Sequence, residues 1–456
     1  MSASLPTPIP LMEQLVGRIR HAGRNRNHKR AISYHQTLPH HILPADSEFY
    51  EIIQRDLSTV MTGSAINDSS SPVPRLPAVL IVYDCIHPDS LGGVEHRNHA
   101  IAEHLEKRGY HVVRAGWWFG AGGRAPDPGV LALPHATRIH DAHGRRSLTS
   151  ALRFAIATWR LPLCAFDIVE AANIPFLHLL PLSIRCFWAG KPLLVTWHEY
   201  WGVHWRDYVG RLRAPAYAAV EWLCGQLGTR AVAVSPTTAQ RLRGHRVRCD
   251  DVRVIPCGVP IERIDAATAG TTRDGATMVY VGRLIAEKRV DLVIRALPLV
   301  SASNSVTLRV IGDGPELERL RMLTARLGLN DRVSFAGRVE SPEVVWREIA
   351  RARVAVQASS REGFGMFPLE AMACGTPVVY CDAGNSAVSD LVPNGVLGFG
   401  ADPSPGSIAE KVRILLDPDI WRRFSHAGVC AANEYRWESV VDRVERVLRE
   451  IVATAD

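Results

Sequence analysis

Short apolar runs alternate with amphipathic stretches along most of the chain, and no other feature of the sequence restricts the fold as strongly. The run AVLIVY at 78–83 is continuously apolar, as is typical of a strand buried on both faces of a sheet. The segment at 91–109 follows with apolar residues at helical spacing and ends in Gly109, which suits a helix C-terminus. Further apolar runs are HVVRAG, DIVEAA, PLLVTW, RAVAVS and VRVIP. Strands that alternate with helices in this way predict an α/β fold with a parallel, doubly wound sheet.

The alternation begins a second time in the second half of the chain. Five more apolar runs occur there, namely MVYVGRL, TLRVIGDG, RVSFAG, RVAVQAS and PVVYCD. We therefore predict two tandem Rossmann-like domains, at 75–258 and 277–436, joined by a linker at 259–276. An N-terminal extension of low order is expected at 1–74, and an amphipathic helix is expected at 437–456.

Cysteine usage and hydropathy predict a cytoplasmic location. The nine cysteines are scattered and include no C-x-x-C pair, so a disulfide framework or a zinc site is not expected. The longest strongly apolar stretch, at 171–184, contains two prolines and is shorter than the roughly 20 residues of a membrane-spanning helix. The N-terminus lacks a basic segment followed by an apolar one, so secretion is not expected either.

The net charge of +7 points to acidic partners. A phosphorylated substrate, an anionic membrane surface and nucleic acid all fit this charge, and composition alone does not choose among them. Six cations lie between Arg18 and Arg30 without an acidic residue among them. This cluster is either a solvated tail or a basic arm that contacts anionic lipid or substrate on the inner face of the membrane.

Glycine-containing loops follow several of the predicted strands, where ligands bind in open α/β sheets. The paired glycines of LGGVE at 91–95 would let backbone N–H groups approach a phosphate, or would simply form a tight turn. GAGGRA at 120–125 matches a dinucleotide-binding pattern, but Pro126 and Pro128 follow it and disfavour the helix that such a motif requires.

Cations and carboxylates stand at two further strand ends. Arg283 and Lys288, in GRLIAEKR, are suited to clamp a diphosphate, although basic residues also occur on solvated helix faces. Glu362 and Glu370 lie eight residues apart in the segment at 359–379, across a glycine-containing loop and a helix entry. Carboxylates in this position can accept hydrogen bonds from sugar or ribose hydroxyls.

Between about Pro77 and Trp437 the sequence resembles the retaining, nucleotide-sugar-dependent glycosyltransferases of family 4, which have the two-domain GT-B fold. The segment with Glu362 and Glu370 is the most specific part of the resemblance. The other motifs occur in family order: GGVE at 92–95, AVSPTTAQRL at 233–242, VIPCGV at 254–259, VYVGRLIAEKRVDLVIRAL at 279–297, VIGDGP at 310–315 and VSFAGRV at 333–339.

The resemblance implies roles for five side chains. Arg283 and Lys288 would hold the diphosphate of the donor, and Glu370 would hold the ribose hydroxyls. Glu362 would contact the transferred sugar. His198, in VTWHEYWG, would reach the sugar hydroxyls from the N-terminal, acceptor-side domain.

The resemblance also implies further contacts with the donor. Gly92 and Gly93 would face the diphosphate from the N-terminal domain, and Arg338 and Val339 would meet the base. Backbone N–H groups would lie along the sugar and phosphate at Gly363, Phe364, Gly365 and Met366.

By the same resemblance, a hexosyl unit would pass from a nucleotide-diphospho-sugar to an acceptor hydroxyl with retention of configuration. The acceptor would be a lipid-linked molecule, a glycan or a small molecule. No cofactor and no obligatory metal are implied, and no D-x-D pair stands at a strand end. The sequence departs from the family pattern at Cys257, where asparagine is common, and at Pro260, where an acidic residue is common; these departures concern the interdomain hinge.

Two alternatives remain open at this stage. A nucleotide-sugar 2-epimerase or a phosphorylase would have the same two-domain fold. A nucleic-acid-binding protein is suggested by the basic segment RLRGHRVR at 241–248, although no recognised nucleic-acid-binding motif accompanies it.

Overall fold

The computed structural model describes residues 76–88, 92–119, 126–133, 139, 146–247, 252–273, 277–301, 306–382, 384 and 386–454. The predictions made for 1–74, including the basic cluster Arg18–Arg30, and for GAGGRA at 120–125 lie outside these residues.

A parallel sheet of seven described strands forms the N-terminal half, in the order β3-β2-β1-β4-β5-β6-β7. All eight residues of the central strand β1 are buried, as its continuous apolar run predicts. The strands are β1 (Ala78–Cys85), β2 (His111–Trp117), β3 (Val130–Leu133), β4 (Ile168–Ala172), β5 (Leu193–Trp197), β6 (Arg230–Ala233) and β7 (Val252–Val254). The helices are α1 (Gly93–Lys107), α2 (Leu148–Thr158), α3 (Leu179–Ala189), α4 (Trp205–Val209), α5 (Ala214–Cys224) and α6 (Pro236–Gly244).

A second parallel sheet, of six described strands, forms the C-terminal half in the order β10-β9-β8-β11-β12-β13. The strands are β8 (Thr277–Val281), β9 (Thr307–Ile311), β10 (Val333–Phe335), β11 (Val354–Gln357), β12 (Val378–Cys381) and β13 (Gly398–Ala401). The helices are α7 (Ile261–Thr268), α8 (Val290–Val300), α9 (Leu317–Arg326), α10 (Pro342–Arg351), α11 (Met366–Ala373), α12 (Val388–Leu391), α13 (Pro405–Leu416) and α14 (Pro418–Ala432). Two Rossmann-like sheets in tandem confirm the predicted fold class.

The segment at 259–276 was expected to be only a linker, but it contains helix α7. Ile261 and Ile264 lie on one face of this helix and are buried in the same apolar cluster as Trp346 and Ile349 of α10. Apolar residues three positions apart are compatible with one turn of helix, and burial against α10 stabilises that turn. The segment therefore contributes to the core of the C-terminal half.

The last helix, α15 (Trp437–Ala453), returns to the N-terminal sheet. Its apolar face, which includes Val444 and Leu448, is buried with Ile101 and Leu105 of α1. Arg108 Nη1 and Glu445 Oε2 form an ion pair at 2.7 Å across the same contact. The two halves of the chain are thus connected twice, through 254–277 and through this returning helix. None of the described helices is both long enough and apolar enough to cross a bilayer.

Candidate active site

Two loops at the carboxyl ends of β8 and β9 are held together by backbone contacts. Gly282 N donates to Ile311 O at 3.0 Å, and Leu284 N donates to Asp313 O at 2.9 Å. A Cβ atom at Gly312 would overlap the carbonyl oxygen of Gly282, so only glycine allows the two loops to approach this closely. The close approach fixes the backbone that leads into Arg283 and Lys288.

Lys288 and Glu362 form the central ion pair of the site. The Lys288 Nζ atom lies 2.5 Å from Glu362 Oε1, and the side-chain amide of Gln357 donates to the same oxygen. The Ser360 N–H donates to Glu287 O at 2.9 Å, which holds the Glu362 loop against the Lys288 turn. Burial raises the pKa of Glu362, but the Lys288 ammonium and the hydrogen bonds outweigh burial and hold the pKa below its usual value. Glu362 is therefore a carboxylate at neutral pH.

Arg283 presents a second cation on the same loop as Lys288. Its side chain is exposed and makes no hydrogen bond or ion pair within the described part of the chain. Arg338, also exposed, and Val339, half-buried, follow β10 on the neighbouring loop. Gly312 N donates to Gly337 O at 2.8 Å, so this loop is joined to the β9 loop. The structure thus places Arg283, Arg338 and Val339 at the carboxyl ends of the strands of the C-terminal sheet.

Helix α11 begins directly after the glycine-containing loop. Gly365 precedes its first residue with φ of 111°, a left-handed conformation that favours glycine, and Phe364 is buried beneath the loop. Glu370 lies one turn into the helix, where the Trp346 Nε1–H donates to its Oε1 at 3.1 Å. Burial raises the pKa of Glu370 to about 7, and the Trp346 hydrogen bond opposes this rise. The two predicted carboxylates consequently differ in protonation.

The N-terminal domain meets this loop at two positions. A Cβ atom at Gly363 would overlap the carbonyl oxygen of His198, so the glycine lets the two backbones come together. A Cβ atom at Gly93 would lie 3.4 Å from Met366 Cγ, at the start of α11. Gly92 precedes helix α1 as its N-cap residue. Residues predicted in different domains are therefore brought together.

His198 is held by its backbone and not by its ring. Its N–H donates to Asn173 Oδ1 at 3.0 Å, while Asn173 Nδ2 donates to Glu199 O at 2.9 Å. The ring atom Nε2 is buried and has no hydrogen-bond partner within the described residues. Burial, together with the positive charge of Arg97, lowers the pKa of His198 well below its usual value. The imidazole is therefore neutral, so one ring nitrogen can donate a hydrogen bond and the other can accept one.

Sequence reasoning missed an ion pair that joins the two domains. Arg361 Nε lies 2.5 Å from Glu199 Oε1, and the guanidinium carbon lies 3.3 Å from the centroid of the Trp201 ring. Both charged residues are adjacent in sequence to predicted site residues, His198 and Glu362, and that adjacency was the only available signal.

A second missed residue, Glu221, supports the loop after His198. Its carboxylate accepts hydrogen bonds from Trp201 N at 2.7 Å, Gly202 N at 2.8 Å and Trp205 Nε1 at 2.9 Å. Burial raises the pKa of Glu221 to about 7, and the three donors oppose the rise. No local pattern distinguishes this glutamate from an exposed residue of α5.

Together these groups can bind an anion beside a hydroxylated group. The C-terminal sheet contributes three cations and two carboxylates, and the N-terminal domain contributes a neutral imidazole and glycine backbone. Ligands in open α/β sheets bind at this position, outside the carboxyl ends of the strands.

Two family models match the chain, one after the other. Residues 91–263 match the model described as Glycosyltransferase Family 4, and residues 265–428 match the model described as Glycosyl transferases group 1. The boundary between the two matches falls in the segment between the two sheets.

Among curated proteins, the D-inositol 3-phosphate glycosyltransferase of Acidothermus cellulolyticus is 35% identical over 224 residues, covering 45% of this chain and 49% of that protein. The phosphatidyl-myo-inositol mannosyltransferase of Mycobacterium leprae is 27% identical, covering 66% of this chain and 71% of that protein. The chain spans about half the length of the first of these relatives.

Solved structures share the fold at low sequence identity. Sucrose-phosphate synthase from Thermosynechococcus elongatus has a TM-score of 0.69 and 21% identity, and the match covers 83% of this chain and 100% of that one. Anabaena HepE in complex with UDP-glucose has a TM-score of 0.62 and 18% identity, covering 82% and 100%. These similarities support the two-domain architecture.

Proposed function

Because this chain belongs to the group 1 and family 4 glycosyltransferases, we propose that it transfers a hexosyl unit from a nucleotide-diphospho-sugar to an acceptor hydroxyl. The single observation that carries the proposal is the Lys288–Glu362 ion pair. Lys288 follows Arg283 on the loop after β8, and Gly363, next to Glu362, touches the backbone of His198 in the other domain. An anion site next to an ionised carboxylate suits a sugar that is attached to a diphosphate.

The donor is proposed to bind mainly to the C-terminal domain. Arg283 can hold phosphate oxygens in a bidentate way, and Lys288 can add a point charge. The N-terminus of α11 adds a partial positive charge beside them. Glu370 would accept hydrogen bonds from the ribose hydroxyls, and Arg338 with Val339 would contact the base. The complex of HepE with UDP-glucose favours a uridine nucleotide as the first donor to test.

The reaction is proposed to proceed with retention of configuration and without a metal. The acceptor oxygen would bond to the anomeric carbon on the face from which the diphosphate departs, and the proton of the acceptor would pass to the departing phosphate oxygen. The cations Arg283 and Lys288 would stabilise the charge that develops on the leaving group.

A covalent sugar ester on Glu362 is disfavoured by the contacts of this carboxylate. Its Oε1 atom is engaged by both Lys288 and Gln357, and hydrogen bonds to the ionised form reduce its reactivity as a nucleophile. Glu362 and the neutral ring of His198 are proposed instead to position the sugar through its hydroxyl groups.

The names of two relatives guide the choice of acceptor. One is a D-inositol 3-phosphate glycosyltransferase and the other a phosphatidyl-myo-inositol mannosyltransferase. A polyol that carries phosphate, free or linked to lipid, is therefore proposed as the first acceptor class to test.

The proposal is tested in two steps with the full chain. UDP, GDP and ADP and their sugar derivatives are compared by thermal shift, because a ligand that binds the native state raises the melting temperature. The donor that gives the largest shift is then incubated with and without acceptor, and release of the nucleoside diphosphate and glycosylated product are measured. Release that requires inorganic phosphate, or an epimerised donor without acceptor, would favour a phosphorylase or an epimerase. No shift with any nucleotide sugar would overturn the proposal.

A further inference from the structure

Helix α2 exposes an apolar stripe to solvent. Leu148, Leu152, Ile156 and Trp159 follow one another at spacings of four, four and three residues, and they are 58%, 54%, 62% and 47% exposed. The opposite face of the same helix, which includes Phe154, is buried in the core of the N-terminal half. The helix is therefore apolar on both faces, although only one face packs against described residues.

Helix α3 extends this stripe into a surface. Ile184 is 38% exposed and Trp188 is 69% exposed. The rings of Trp159 and Trp188 lie perpendicular, with centroids 6.0 Å apart, so the exposed residues of the two helices are in contact. We refer to the six residues as the α2–α3 surface: Leu148, Leu152, Ile156, Trp159, Ile184 and Trp188. Contiguous apolar surfaces of this kind mark interaction sites.

Cations without carboxylates accompany the α2–α3 surface. Arg153 and Arg160 are exposed on and just after α2, and Lys191 follows α3. Neither segment 148–166 nor segment 179–192 contains Asp or Glu. Exposed tryptophan with a basic surround is typical of protein surfaces that rest on anionic lipid.

The loop between α4 and α5 repeats this combination. Leu212 is 98% exposed between Arg211 and Arg213. Arg146 N donates to Tyr208 Oη at 3.0 Å, which joins the start of α2 to α4, the helix that precedes this loop. The loop is therefore linked, through α4, to the residues that lead into α2.

We propose that the α2–α3 surface docks the N-terminal domain on an anionic lipid bilayer, with Trp159 and Trp188 at the level of the headgroups. The charge pattern favours lipid over a second copy of this chain, because a two-fold contact through this surface would bring together two basic surfaces whose helices carry no carboxylate. One part of the inference rests on the proposed function. If the chain is a glycosyltransferase, its acceptor would lie in or on the membrane that the N-terminal domain contacts.

Vesicle flotation of the full chain tests the proposal. Vesicles of phosphatidylcholine alone are compared with vesicles that also contain phosphatidylglycerol, at low and at high salt. One variant carries Trp159→Ser with Trp188→Ser, and a second carries Arg153→Gln with Arg160→Gln. The matched control carries Met322→Ser with Val396→Ser, two residues of the C-terminal half that are 53% and 62% exposed.

We expect the wild type and the control to float with anionic vesicles only, and to be released by salt. The tryptophan variant should lose binding at least about tenfold, since two large apolar anchors are removed. One basic residue near an anionic surface contributes about fivefold in affinity, so the Arg153–Arg160 variant should lose about twenty-five-fold at low salt.

Equal binding of the wild type and the tryptophan variant would overturn the proposal and would assign docking to another segment, such as Arg18–Arg30. Absence of binding at low salt would also overturn it, as would a wild-type dimer that the tryptophan variant makes monomeric.

Thermal unfolding checks that the variants fold, and Trp188→Ser alone replaces the double change if they do not. Nucleotide-sugar binding by thermal shift is measured on the same samples. Its absence would reject the proposed function while leaving the flotation result intact.

Discussion

The strongest prediction of the site concerns the pH dependence of donor binding through Glu370. Burial raises the pKa of this carboxyl to about 7, against a hydrogen bond from Trp346 that favours the ionised form. If Glu370 accepts hydrogen bonds from ribose hydroxyls, only its carboxylate binds the donor fully. Affinity for a nucleotide sugar should then rise as the pH rises through 7 and should level off above it.

The magnitude follows from the fraction of Glu370 that is ionised. With a pKa of about 7, the ionised fraction falls roughly tenfold between about pH 8 and about pH 6. Because the neutral form should still bind about ten- to a hundredfold more weakly, the apparent Kd should rise about five- to ninefold over this range. Glu370→Gln should abolish this dependence. At about pH 8 it should also weaken binding by about ten- to a hundredfold, since hydrogen bonds to a charged group contribute about 1.5–3 kcal/mol. Trp346→Phe removes a bond that lowers the pKa, so it should shift the midpoint to higher pH.

Titration calorimetry with an intact nucleotide sugar measures these constants, because its diphosphate does not titrate near neutral pH. Glu221 provides the critical comparison, since burial also raises its pKa to about 7 although it lies in the other domain. A pH dependence that persists in Glu370→Gln would come from Glu221 or from another group. That result would refute the assignment of Glu370 to the ribose.

Two further predictions concern the loop before α11. Glu362→Gln should leave affinity for the nucleoside diphosphate undiminished and lower the single-turnover rate about ten- to a hundredfold, because a contact that strengthens in the transition state is lost. Equal loss of nucleotide affinity in Glu362→Gln and Glu370→Gln, by calorimetry, would contradict it. Gly363→Ala should lower transfer more than donor affinity, because its Cβ would overlap the His198 carbonyl oxygen. The control is Gly406→Ala, because a Cβ at Gly406 would meet no atom within 4 Å. An unaffected transfer rate in Gly363→Ala would argue against the contact between the domains.

The sequence predicted the central strands better than the edges of the sheets. β1 and β8 are continuous apolar runs because both of their faces are covered, and such runs are recognisable without knowledge of the partners. β3 and β13 lie at the edges of their sheets and were missed. β13 has the sequence GFGA, in which two glycines remove the apolar pattern on which strand prediction depends.

The sequence suggested candidate residues for the site but not the contacts between them. The motifs identified Lys288, Glu362 and His198 separately, because each follows a strand. Two contacts depend on how the domains come together: Gly363 touches the backbone of His198, and Arg361 pairs with Glu199. These partners are more than 150 positions apart, and such a separation leaves no periodic signal in a single sequence. The protonation states of Glu362 and Glu370 could not be predicted from their motif either. Lys288 lowers the pKa of Glu362 and the Trp346 hydrogen bond lowers that of Glu370, and both neighbours lie outside the motif.

The pairing of Lys288 changes how the donor's charge is balanced under the proposed function. In the structure the Lys288–Glu362 pair is neutral, whereas Arg283 has no ion pair among the described residues and can meet a diphosphate without giving one up. An ammonium group has three N–H donors, and Lys288 can therefore keep Glu362 and still donate to phosphate. Glu362 would then hold the ammonium in position and also partly neutralise it, which weakens ground-state binding of the donor. Removing that charge in Glu362→Gln leaves Lys288 fully positive, and for this reason nucleotide affinity should stay the same or increase while transfer slows.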